Sequence, residues 1–108
     1  MNINEIKRKL KNEEFKLVTI KVGEHHPNDV QRFLLDNGIK WNNLLPWDNT
    51  QGINYFTIFN TIYEGLKMTL STKKSYTKSE NEIMINFDQI ISYNENLKYI
   101  NNLFEDII

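Results

Sequence analysis

The segment from Gly23 to Trp41, Gly-Glu-His-His-Pro-Asn-Asp-Val-Gln-Arg-Phe-Leu-Leu-Asp-Asn-Gly-Ile-Lys-Trp, constrains the fold more than any other part of this chain. Pro27 suits the first position of a helix, where its missing N–H costs nothing and its fixed φ is already helical. Asp29 places a negative charge in the first turn, near the positive end of the helix dipole. Val30, Phe33, Leu34 and Asn37 fall at i, i+3, i+4 and i+7, and Gly38 stands where a left-handed cap belongs. The spacing predicts a helix over 27–37 with Val30, Phe33 and Leu34 buried. Between the strand-like Phe15–Val22 and the aromatic-rich Ile53–Phe59, it reads as the helix of a β-α-β core.

The flanking segments extend this pattern. Ile3, Ile6 and Leu10 form an apolar stripe on a short N-terminal helix, capped by Asn2 or Asn4. Ile39-Lys40-Trp41 opens a strand, with Trp41 expected in the core. Residues 42–52 hold Pro46, Asp48, Asn49 and Gly52, a turn-rich loop in which Leu44, Leu45 and Trp47 are embedded. Ile53–Phe59 and Tyr63–Leu70 suggest a hairpin with its turn at Asn60-Thr61 and a bulge at Gly65. Ser71–Asn81 is polar and carries Lys73, Lys74 and Lys78, as expected of a connecting loop. Ile83, Ile85 and Phe87 alternate like a last short strand. Ser92 and Glu95 have capping-box spacing before the helical period of Leu97, Ile100, Leu103, Phe104 and Ile107. The expected architecture is α+β: a single domain over residues 1–108, with a mixed or antiparallel sheet of four to five strands, a central helix, and helices at both ends.

Composition excludes more chemistry than it supports. No apolar run is long enough to span a bilayer and no secretory h-region opens the chain, so the cytoplasm is the expected location. Without cysteine there are no disulfides, thiolate nucleophiles or ordinary structural zinc sites. Alanine is absent while Asn, Ile and Lys dominate, as AT-rich codons favour, which points to a low-GC bacterium or one of its phages or plasmids. The formal net charge of −1 is unevenly spread. Lys7, Arg8, Lys9, Lys11, Lys16 and Lys21 outnumber Glu5, Glu13 and Glu14, whereas Glu80, Glu82, Asp88, Glu95, Glu105 and Asp106 face Lys98 alone. Nucleic-acid binding normally needs a concentrated positive surface, so it is not favoured here.

Catalytic readings find little support. His25 and His26 are adjacent, and in an extended segment their rings point to opposite sides. No third histidine completes a metal site, so His26 is expected near the helix N-cap and His25 in solvent. A carboxylate nuclease built from Asp48, Glu64 and Lys67 would need Glu64 and Lys67 on one face, while their spacing in a strand puts them on opposite faces. There is no phosphate-binding glycine loop and no nucleophile elbow. The expectation is a non-enzyme without metal or cofactor.

Asn28-Asp29-Val30-Gln31-Arg32-Phe33-Leu34 followed by Asn37-Gly38-Ile39-Lys40-Trp41 resembles a pattern of small uncharacterised tailed-phage proteins, in which a Val-Gln-x-Phe/Leu helix leads into a Gly-Tyr-Lys-Trp strand. Tyr55-Phe56-Thr57-Ile58 and Glu82-Ile83 through Asp88-Gln89-Ile90 are similar to its later segments. Ile39 replaces the commoner Tyr, and the loop after Trp41 is longer. Met1 to Phe15 is also similar to the opening of a small Cas9 inhibitor of listerial prophages, although the strand order differs. These resemblances imply a phage or prophage accessory protein that inhibits a bacterial defence factor by direct binding, most concretely a CRISPR effector complex. A small nucleic-acid-binding or regulatory module is the alternative, and a homodimer fits either. The candidate partner-binding residues are Trp47, Leu44 and Leu45 in the loop, with Trp47 either the interface anchor or a lid that folds back to seal the core, and Glu80, Glu82, Glu95, Glu105 and Asp106 in the acidic tail, facing a basic nucleic-acid channel.

Overall fold

A computed structural model describes residues 1–71 and 81–91. The chain opens with α1 (Ile3–Lys11), whose first turn is capped by Asn2: its Oδ1 accepts from the Glu5 N–H at 2.8 Å. Ile3, Ile6 and Leu10 are all buried, so the apolar stripe faces the core as the spacing predicts. β1 (Leu17–Lys21) follows, then α2 (Pro27–Asp36). Pro27 sits in the first turn of α2, and the N-cap is His26, whose Nδ1 accepts from the Asn28 N–H at 3.1 Å.

The end of α2 is a Schellman motif. Gly38 has φ +83, its N–H donates to Leu35 O at 3.0 Å, and the Ile39 N–H donates to Leu34 O at 3.0 Å. Lys7 reaches over from α1 and donates to Asn37 O at 2.8 Å, a cation placed at the negative end of the helix dipole. The cap turns the chain into the two-residue β2 (Lys40–Trp41). Beyond a long loop come the hairpin strands β3 (Tyr55–Thr61) and β4 (Gly65–Ser71), and then β5 (Glu82–Asn86). Residues 87–91 are helical.

The strands form one mixed sheet in the order β2-β4-β3-β1-β5. β3 runs antiparallel to β1 and β4, whereas β1/β5 and β2/β4 are parallel pairs. The fold is α+β, with five strands among the described residues. β1 and β2 are parallel as a β-α-β unit requires, but the β3–β4 hairpin lies between them. Val18 and Ile20 of β1, Phe56 and Ile58 of β3, and Met68 of β4 are fully buried on the face covered by the helices. Leu17, Thr19, Tyr55, Thr57, Phe59 and Met84 point to the other face and are half-buried.

Three local expectations are corrected. Phe33 is half-buried instead of central, set edge-on to Phe87 with ring centroids 5.3 Å apart. The buried stripe of α2 is Val30, Gln31 and Leu34, because Gln31 is hydrogen-bonded to Asp48 in the loop that follows β2. The hairpin turn is at residues 62–64 and not at Asn60-Thr61, since Thr61 still pairs with Gly65. Gly65 supplies the left-handed conformation (φ +79) that closes a three-residue loop. Thr61 holds that loop, its hydroxyl donating to Gly65 O at 2.8 Å and accepting from the Glu64 N–H at 3.0 Å. His25 is half-buried instead of free in solvent: it pairs with Asp88 and lies edge-on to Phe87 at 5.1 Å. The expected loop over 71–81 and the C-terminal helix fall almost entirely outside the described residues.

Candidate functional site

The loop between β2 and β3 is fixed to the body of the protein by one buried amide. Gln31 is fully buried on α2, and all four hydrogen-bonding positions of its side chain are used. Its Oε1 accepts from Trp41 Nε1–H at 2.8 Å and from the Asp48 N–H at 2.8 Å. Its Nε2 donates to Asp48 O at 3.1 Å and to Asn28 Oδ1 at 3.4 Å. Asn28 Oδ1 also accepts from the hydroxyl of Thr50, itself buried, at 2.5 Å. The Gln31 amide therefore serves Asp48 as a neighbouring strand would, and ties it to the indole of the core residue Trp41. The loop is further held where it leaves β2, by the Asn42 N–H donating to Met68 O at 3.1 Å, and where it meets β3, by the Ile53 N–H donating to Thr50 O at 3.0 Å.

What these anchors present is apolar. Leu44 is 84% exposed, Leu45 46% and Trp47 41%. Trp47 does not fold back into the core. Its ring lies 5.1 Å from the guanidinium of Arg32 on the outer side of α2, a cation–π contact that orients an otherwise open side chain. Leu44 has φ +67, a conformation that costs a residue with a Cβ about 1–2 kcal/mol. The Asn43 side chain supports this turn, its Oδ1 accepting from the Leu45 N–H at 3.3 Å and its Nδ2 donating to Asp48 Oδ2 at 3.4 Å. A strained leucine held out into water contributes nothing to folding, and strain of this kind concentrates at functional sites.

Behind the loop lies an open cavity of about 480 Å³, bounded by Trp41, Leu44, Leu45 and Pro46 and by the two lysines Lys40 and Lys67. Lys67 is only 6% exposed. Its ammonium pairs with Glu64 at 3.2 Å, which corrects the expectation that these two residues diverge: Glu64 is in the hairpin turn and is free to reach back. Asp48 belongs to its own loop, its carboxylate accepting from the Asn49 N–H at 2.8 Å. The three residues of the nuclease constellation do not share a site. His25 and His26 likewise perform separate tasks, one pairing with Asp88 and the other capping α2.

The structure brings Leu44, Leu45 and Trp47 together on one loop and sets Glu82 apart from them. β2 and β5 are opposite edges of the sheet, four strand spacings or about 19 Å apart. Glu80, Glu95, Glu105 and Asp106 lie outside the described residues. Ile62 (91% exposed) and Tyr63 (95%) at the hairpin tip form a second exposed apolar pair that the sequence reading placed at a turn boundary and in a strand. Two signals pointed to a turn there: a glycine at the end of a β-branched and aromatic run, and Thr61 positioned to cap it. No helix among the described residues is long and apolar enough to cross a membrane. No protein-family model matches the chain, and no curated protein or solved structure matches it either.

Proposed function

We propose that this protein is a non-catalytic binding module that engages another protein through the 42–52 loop, with Trp47 as anchor and Leu44 and Leu45 completing the contact. The observation that carries the reading is the combination of three exposed apolar side chains, one with a left-handed backbone, on a loop that a buried amide holds rigid. A preorganised loop loses little conformational entropy on binding, so more of the apolar contact energy appears as affinity. Exposed apolar clusters rimmed by polar residues are typical of interaction sites. The resemblance of residues 28–41 to small tailed-phage proteins, together with that of residues 1–15 to a prophage Cas9 inhibitor, supports a bacterial defence protein as the target, met in the host cytoplasm, with a CRISPR effector as the concrete case.

The test is affinity capture from a low-GC bacterial lysate with the wild-type protein and with a Leu44→Ser/Leu45→Ser variant. The proposal expects a specific protein retained by the wild type and lost by the variant, while both melt within a few degrees of each other. Equal retention by the two proteins would refute the loop as the contact surface.

A further inference from the structure

The cavity behind the loop carries an electrostatic imbalance. Lys40 and Lys67 are Cα partners in the parallel β2–β4 pair, so their side chains leave the same face of the sheet at neighbouring positions. Like charges placed directly opposite one another are destabilising. Lys67 is also buried, and withdrawing an ammonium from water is costly unless it is paired. Of the two cations only Lys67 has an anionic partner, Glu64, whose side chain is 62% exposed on the hairpin turn. Among the described residues Lys40 has no partner. The rest of the wall is apolar: Trp41 with Leu35, Leu44, Leu45 and Pro46.

From this arrangement we infer that the cavity is a carboxylate-accepting subsite of the loop surface, and that its occupant is an acidic residue flanked by apolar side chains on the partner protein. The inference rests on the loop being an interface and specifies the chemistry that the interface reads. A free, strongly hydrated anion would not be matched by walls of leucine, proline and indole. A purely apolar group would leave the Lys40 ammonium uncompensated beside Lys67, whose single anionic partner among the described residues is Glu64. A carboxylate carried on apolar surface satisfies both requirements, since it forms charge-assisted hydrogen bonds to the lysines while its neighbours cover Leu44, Leu45 and Trp47. The cavity lies where β2, among the described residues an edge strand of only two residues, gives way to the loop, so a protein segment can reach it without displacing any described strand.

The probe is 3-phenylpropionate, a minimal carboxylate on an apolar body, compared with its neutral amide by 1H–15N NMR titration of the full chain. The acid is expected to shift the Trp41, Leu44 and Lys67 amides saturably at millimolar concentration and to bind roughly tenfold more tightly than the amide, the advantage of one charge-assisted hydrogen bond. Lys40→Gln, at an exposed position and so compatible with folding, should abolish that preference, and Lys67→Met should do the same. Equal binding of acid and amide, shifts away from the cavity, or a preference that survives Lys40→Gln would overturn the inference. Micromolar binding of the free acid would mark a small-molecule site and overturn the assignment to a protein segment. The two readings fail separately. If the serine variant loses its partner while the acid shows no preference, the loop stands and the subsite falls. If the preference is seen but capture is unaffected by the serines, the loop reading falls and takes with it the assignment of the carboxylate to a partner segment.

Discussion

Replacing Gln31 by Leu isolates what the buried amide contributes, because leucine fills similar volume on α2 but can neither donate nor accept. Three groups lose their partners: the Trp41 indole N–H, and the N–H and C=O of Asp48. The indole is fully buried, and a buried donor left unsatisfied costs about 1–3 kcal/mol. The Asp48 groups are part-buried and gain some water, adding about 1 kcal/mol between them. The expected loss is therefore about 3 kcal/mol, or on the order of 15 °C in melting temperature for a domain of this size. Urea titration with a fixed slope measures the global loss, and hydrogen exchange at the Trp41 indole and the Asp48 amide reports the local one. Both sites should lose protection even where the β1–β3 ladder keeps its own. A loss below about 1 kcal/mol, with the Trp41 indole still protected, would refute the argument that Gln31 fixes the loop.

Trp47→Ala should leave stability within about 1 kcal/mol of wild type, since a half-exposed indole gives up a cation–π contact and little core. It should nonetheless weaken partner binding by about 2 kcal/mol or more, as an interface anchor does; thermal melts and binding titrations on the one variant read both. Phe33→Ala should cost about 1–2 kcal/mol by urea unfolding, less than the 3–5 kcal/mol of a fully buried phenylalanine, because what it loses is edge-on packing against Phe87 at the rim of the core. Glu82→Lys, on the far edge of the sheet, should leave the affinity of the loop for its partner unchanged at about 0.15 M salt, where charges separated by more than about 8 Å are screened. A clear affinity loss in titrations at that ionic strength would show that the acidic strand belongs to the binding surface.

Local signals in the sequence were faithfully realised where the physics is local. Pro27, Gly38 and the Ile3-Ile6-Leu10 stripe each specify structure within a turn or two, and the structure uses all of them. The polar, turn-rich setting of Leu44, Leu45 and Trp47 leaves open whether Trp47 is an exposed anchor or a lid on the core, and the structure exposes all three side chains. Gln31 was not legible, because a glutamine on a helix normally faces water. It is buried only because Trp41, ten residues on, and Asp48, seventeen residues on, present donors and an acceptor to it. Ile62 and Tyr63 have the propensity of strand residues, which predicts the turn two residues too early. The left-handed backbone at Gly65 and the Thr61 hydroxyl outweighed that propensity. The cavity lysines could not be paired in advance, since Lys40 and Lys67 meet only through the β2–β4 register, and nothing in either segment alone encodes it.

The most direct test of the central claim, that the 42–52 loop is shaped for a partner and not for the fold, is Leu44→Gly followed by melting and by titration of the captured partner. Glycine adopts φ +67 freely, which recovers the strain of about 1–2 kcal/mol and gives back about 0.5–1 kcal/mol to the greater freedom of the unfolded chain. The leucine side chain is 84% exposed, so almost no packing is lost with it. The account predicts a variant at least as stable as wild type that has lost most of its affinity for the partner. A variant that unfolds more readily while binding unchanged would contradict it.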